Sequence, residues 1–80
     1  MNVIIHNCRG YKYLINTNNI NSVELVPADP NRFAEDIAKN GGPLIRMFID
    51  WYGGSSTNIM VSVEVAEEFM NLFEGAVELF

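Results

Sequence analysis

His6 and Cys8 stand two residues apart in an apolar run, and in a β-strand that spacing turns both side chains to one face, within reach of a common metal ion. They are the only histidine and the only cysteine of the chain. Zinc takes three or four ligands, so a carboxylate such as Asp50 would have to complete the set. As a nucleophilic pair they fail on distance, since thiol and imidazole must meet within about 3 Å while same-face strand neighbours sit roughly 7 Å apart. Both read as sheet residues, with no metal and no cofactor expected. Asp29, Asp36 and Asp50 offer carboxylates for acid–base work, but no spacing in the sequence brings two of them together, and paired-carboxylate chemistry depends on that separation. Gly41-Gly42 and Gly53-Gly54 lack the spacing of a phosphate-binding loop and the helix that must follow it, which leaves them as turn residues. The expectation is that the chain is not an enzyme.

Recognition is better provided for. Between Leu44 and Val63 the chain alternates, and the second of its two faces carries Phe48, Tyr52 and Met60 among Arg46, Asp50, Asn58 and Ser62. Aromatic and Met side chains mixed with Arg are the composition of recognition surfaces, where large groups anchor and polar groups orient. The predicted partner-binding residues are therefore Arg46, Phe48, Asp50, Tyr52 and Met60. A second feature is an acidic stripe, Glu64, Glu67, Glu68, Glu74 and Glu78, with no Lys or Arg after Arg46, whereas the first 23 residues hold Arg9 and Lys12 and no acid. It reads either as a solvated helix face or as a docking surface for a basic partner.

These groups must be held by elements that the periodicity sketches. Ile45, Met47, Ile49 and Trp51 alternate with Arg46, Phe48, Asp50 and Tyr52, and Ile59, Val61 and Val63 alternate with Asn58, Met60 and Ser62, which predicts a hairpin of Leu44–Tyr52 with Asn58–Val63 around a Gly53-Gly54-Ser55-Ser56-Thr57 loop. Val3–Cys8 and Tyr11–Ile15, joined at Arg9-Gly10, form a second antiparallel pair, and Ser22–Val26 a further strand that stops at Pro27. From residue 31 or 32 to Lys39 the spacing turns helical, and Asn40-Gly41-Gly42-Pro43 ends that helix. Val65, Phe69, Leu72, Phe73, Ala76, Val77 and Phe80 fall on one stripe of a C-terminal amphipathic helix, with Ser62 as a candidate N-cap. Gly75 costs roughly 1 kcal/mol in a helix interior. The helix is expected to continue through it, the alternative being a stop that leaves residues 76–80 as a tail or short strand. The fold class is α+β: one domain over residues 1–80, an antiparallel sheet of about five strands, a short inserted helix, and the C-terminal helix packed on one face, with Trp51 and Phe69 in the core.

Composition narrows the partners. A formal net charge of -5, with five Lys and Arg in all, disfavours nucleic acid and the anionic membrane surface alike. A single cysteine, no leader-like segment and no long apolar run fit the cytoplasm. Forty-nine per cent hydrophobic residues suffice for a folded core. A chain this short buries only about 60% of its unfolded surface, however, which makes homodimerisation through the Phe48, Tyr52 and Met60 face an expectation.

Two stretches resemble the FlbD family of small flagellar proteins. Tyr13-Leu14-Ile15-Asn16 followed by Ile20-Asn21-Ser22-Val23-Glu24 resembles that family's strand, asparagine and Ile-x-x-Val/Ile-Glu pattern, and Ile59 to Phe73 resembles its last strand running into a Glu-rich helix. The resemblance covers under half the chain and departs from the family over Asp29 to Pro43. It implies a small strand-rich plan and carries over neither a flagellar role nor any site residue.

Two functions follow from this reading. The first is a small non-enzymatic protein-binding or regulatory module, such as a mobile-element-encoded inhibitor of a larger partner. The second is a small-ligand binder with a pocket between the 31–39 helix and the 44–63 hairpin.

Overall fold

The computed structural model describes residues 1–72 and the backbone of Ala76–Leu79. Its strands are β1 (Asn2–His6), β2 (Lys12–Asn16), β3 (Ile20–Pro27), β4 (Leu44–Trp51), β5 (Ser56–Ser62) and β6 (Ala76–Leu79), and its helices are α1 (Ala34–Asn40) and α2 (Val63–Leu72). The chain is α+β, with strands in two sheets where one of about five strands was expected. β1 and β2 form an antiparallel pair of their own, Val3 opposite Ile15 and Ile5 opposite Tyr13. The main sheet runs β5-β4-β3-β6, antiparallel from β5 to β3, with β6 added parallel to β3.

A short turn stands where the chain passes from one sheet to the other. The Asn16 side chain caps a single 3-10 turn at Thr17–Asn19 by accepting from the Asn18 amide, and this turn redirects the chain between β2 and β3. β3 then pairs with β4, and the β1–β2 hairpin folds across the main sheet. Ile5 and Ile15 of the hairpin therefore meet Val23, Leu25, Met47, Ile49, Ile59 and Val61, the inward set of the main sheet, in one buried cluster. Ala66 and Phe69 of α2 complete it, so α2 shares this face with the hairpin and does not cover it alone. Phe69 is buried as expected. Trp51 is half-buried at the rim, its indole N–H donating to Thr57 Oγ1 at 2.8 Å.

The helix ends follow the sequence signals. Ser62 Oγ accepts from the Val65 amide at the start of α2. Gly41, at φ 76°, closes α1 with its N–H shared between the Ile37 and Ala38 carbonyls. The expected continuation of the C-terminal helix to Phe80 is corrected: α2 is described over Val63–Leu72, and Ala76–Leu79 is a strand that satisfies the free edge of β3, Val77 opposite Val23. Poor helix propensity at Gly75 and an unpaired strand edge act in the same direction. The side chains expected to line the helix stripe at Phe73, Ala76, Val77 and Phe80 lie outside the described residues. No described helix is long and apolar enough to cross a membrane.

Candidate functional site

The outward face of the main sheet is not uniform. Toward its β4 start, two segments fold over it. The connection from β3 to β4 makes an Asx turn, Asp29 Oδ1 accepting from the Asn31 amide and Asp29 C=O from those of Arg32 and Phe33, and this drops the Phe33 ring onto the sheet just ahead of α1. The second segment is the β1–β2 turn. Asn7 Oδ1 accepts from the amides of both Arg9 and Tyr11 at 2.9 Å, Gly10 sits at φ 86°, and the Cys8 N–H donates to the Met60 carbonyl at 2.8 Å, docking the turn against β5. The two segments are tied together by Arg9, whose Nε and Nη2 donate to the two carboxylate oxygens of Asp36 on α1 at 3.3 Å.

Between them lies an open cleft of about 420 Å³. Its walls include Arg9, Arg32 and Arg46, which are all the arginines of the chain, against Asp36 as the one carboxylate. Tyr11, Tyr13 and Phe33 supply aromatic surface, and Asn7, Cys8, Asn58 and Met60 the rest. The arginines are held differently. Arg9 is committed to Asp36, and that hydrogen bond keeps its guanidinium even more firmly protonated than usual. Arg46 is clamped between two rings, its Cζ 5.3 Å from the Phe33 centroid and 4.9 Å from that of Phe48, while Arg32 lies 5.1 Å from Phe33. The cross-strand neighbours of Arg46 are Val26 and Met60, so neither offers it a carboxylate. Among the described residues, neither Arg32 nor Arg46 has an acidic side chain within ion-pair distance. Burial, and then the Asp36 carboxylate, push the Cys8 thiol above its ordinary pKa, with Arg9 pulling the other way, so Cys8 contributes a neutral thiol.

The predicted site residues are divided by this geometry. Arg46 and Met60 line the cleft, and Phe48 lies beneath Arg46 as part of its clamp. Asp50 and Tyr52 sit at the other end of the same face, around a separate shallow depression formed with Trp51 and the Gly53-Gly54 loop. Tyr52 lies beyond the end of β4, 67% exposed, its amide donating to the Asn19 carbonyl. Phe48, Tyr52 and Met60 thus form no single patch.

The remaining candidates are also redistributed. β1 ends at His6, so Cys8 belongs to the turn and does not share a strand face with it. No group of three or more His, Cys, Asp or Glu among the described residues is disposed to hold a metal ion. Asp29, Asp36 and Asp50 have separate engagements, with the Asn31 amide, Arg9 and Ser22 Oγ respectively. Glu64, Glu67 and Glu68 are exposed on α2.

The cleft lies where a pocket was expected, between the 31–39 segment (Arg32, Phe33, Asp36) and the 44–63 hairpin (Arg46, Asn58, Met60); the sequence did not indicate that Arg9, Tyr11 and Tyr13 of the β1–β2 hairpin join its wall. One signal pointed to the cleft: a chain of net charge -5 that contains only three arginines has each of them within two residues of an aromatic, in Arg9-Gly10-Tyr11, Arg32-Phe33 and Arg46-Met47-Phe48. No family model, no curated protein and no solved structure matches this chain.

Proposed function

We propose that this protein is a small, non-enzymatic binding module whose arginine- and aromatic-lined cleft takes an anionic segment of a partner protein. The observation that carries this reading is the convergence of Arg9, Arg32 and Arg46 on one cleft of an otherwise acidic chain. Arg32 and Arg46 are unneutralised by acids, and the two Phe rings restrict Arg46 before any ligand arrives, so less side-chain freedom is lost on binding. The mixture of Arg, Tyr, Phe and Met is that of interface hot spots. Openness to solvent on one side suits a peptide side chain better than an enclosed metabolite. The acidic remainder of the surface repels non-cognate polyanions and restricts recognition to the cleft.

A titration with a fluorescein-labelled, Glu-rich octapeptide, followed by anisotropy, tests the reading. Saturable binding that weakens with added salt and is lost in the Arg32→Ala/Arg46→Ala double variant is expected. Absence of binding, or equal binding by the double variant, contradicts it.

A cavity of about 420 Å³ also falls within the size range of small-ligand sites, which favours a compact anionic metabolite as the second reading. Native mass spectrometry of the freshly isolated protein separates the two, because a co-purifying small molecule displaced by the octapeptide would identify the metabolite as the cleft's occupant.

A further inference from the structure

The cleft borders an unfinished sheet edge. In the antiparallel β4–β5 pair, backbone groups alternate between pointing at the partner strand and pointing away, with period two. The Met60 carbonyl points away from β4, because it accepts from the Cys8 amide on the far side. The register of β4 with β5 is unbroken from Leu44–Ser62 to Asp50–Ser56, so the amide groups of Asn58 and Ser56 point away as well. Asn58 and Ser56 are exposed, and among the described residues no backbone partner meets Asn58 N–H, Asn58 C=O or Met60 N–H. At the opposite edge of the described sheet, β6 already covers β3.

Exposed strand edges are ordinarily blunted by a lysine, a proline or a bulge. β5, Ser-Thr-Asn-Ile-Met-Val-Ser, has none of these. It has instead one rung supplied from outside the sheet, the Cys8 bond at 2.8 Å, which marks where an added strand must stop. The free stretch from Ser56 to Met60 is roughly 14 Å long at about 3.4 Å per residue, enough for a short extended peptide. Side chains of such a peptide that share the face of Asn58 and Met60 fall beside the arginine cleft, since both of those residues line it.

We infer that the partner of this module is an extended acidic segment that adds as a strand to the β5 edge at Ser56–Met60, with its alternate, acidic side chains turned into the Arg9, Arg32 and Arg46 cleft. The inference rests on the anionic-partner reading above and specifies its backbone geometry. Main-chain hydrogen bonds supply affinity without sequence preference, and the cleft supplies selection for acid at every second position. A second copy of this chain fits the edge poorly, because β5 contains no acid and pairing two such edges would set two arginine clefts side by side with nothing between them to neutralise either.

The test uses the full chain and an acetylated peptide, Thr-Glu-Val-Glu-Val-Glu-Thr, with two variants N-methylated at alternate residues, the first at the Glu residues and the second at the Val residues. Strand addition requires that one alternate set of amides bond to β5, so methylation of one set weakens binding about tenfold or more, as loss of one or two net hydrogen bonds implies, and methylation of the other set leaves it within about twofold. Bound peptide should also slow hydrogen exchange at the Asn58 and Met60 amides by about tenfold or more. If both methylated peptides bind like the parent, or both weaken equally, or those two amides exchange as in the free protein, strand addition is overturned, even where Arg32→Ala/Arg46→Ala still abolishes binding and the cleft reading stands. If the unmethylated peptide does not bind at all, both ideas fall together.

Discussion

The two ends of the outward sheet face are built from the same alternation and end in different environments. At the cleft end, Arg46 and Phe48 are half-buried under Phe33, and Met60 is flanked by the docked β1–β2 turn. At the loop end, Asp50 and Tyr52 stand in solvent, the Asp50 carboxylate accepting from Ser22 Oγ at 3.2 Å and Tyr52 followed by Gly53 and Gly54 at φ 105° and 93°. Strand periodicity decides which side chains share a face. What lies over that face is decided by the connections, and here the long one carrying α1 covers the cleft end while the short glycine loop leaves the other bare.

Removing the ring that both free arginines lean on is expected to have the largest effect. Phe33→Ala should lower unfolding stability by about 2 kcal/mol, less than the loss for a fully buried Phe because the ring is only half-buried. Tyr52→Ala, which removes more atoms at the loop end, should change it by under about 0.5 kcal/mol. Urea unfolding of both variants checks the contrast, and similar losses at the two positions would erase the distinction between the ends.

The next effect in size concerns the clamp itself. Arg46→Ala gives up two cation–π contacts and the packing of the Arg stem, an expected loss of about 1–2 kcal/mol at this half-buried position. Asp50→Asn, on the same strand and face, should leave the melting temperature unchanged within error. Equal melting temperatures for Arg46→Ala and wild type would show that the stacking contributes nothing.

The distinction between the ends was only half legible in the sequence. The 44–63 hairpin, the Ser62 cap and the Gly41 helix end are local signals that the structure shows, although β5 starts at Ser56 and not at the expected Asn58, which shortens the loop, and Val63 opens α2 where it was expected to close the strand. The separation of β1–β2 from the main sheet depends on which strands meet after the Thr17–Asn19 turn, a non-local choice that equally apolar strands do not announce. The cleft has the place of the pocket expected between the 31–39 helix and the 44–63 hairpin, but the share of the β1–β2 hairpin in its wall, Arg9, Tyr11 and Tyr13, was hidden for the same reason, since that hairpin joins it only when its turn docks on Met60 and Arg9 reaches Asp36. Asp50 and Tyr52 were grouped with Arg46 because period two says nothing about where a covering segment ends. The fate of Ala76–Leu79 turned on an edge of β3 whose neighbour the sequence does not specify.

A smaller effect reports on how the β1–β2 turn packs against α1 at the cleft end. Burial and Asp36 hold the Cys8 thiol neutral over a wider pH range than a free cysteine, against the pull of Arg9. Iodoacetamide alkylation followed across pH should therefore show its midpoint above that of a free thiol. Asp36→Asn should move the midpoint down, because it deletes the repelling carboxylate and leaves Arg9 unneutralised beside the thiolate. A wild-type midpoint at or below the free-thiol value would mean that the turn does not pack against α1 in solution. Tyr52→Glu, remote at the loop end, should leave the profile in place.

Reception of an anionic partner at the cleft end is tested most directly by mapping backbone amide shifts during titration with the Glu-rich octapeptide. Perturbations should concentrate at Arg9, Arg32, Phe33, Arg46, Asn58 and Met60 and leave Asp50, Tyr52, Gly53 and Gly54 unmoved. Shifts centred on the loop end, or spread along α2 with the cleft amides silent, would contradict it.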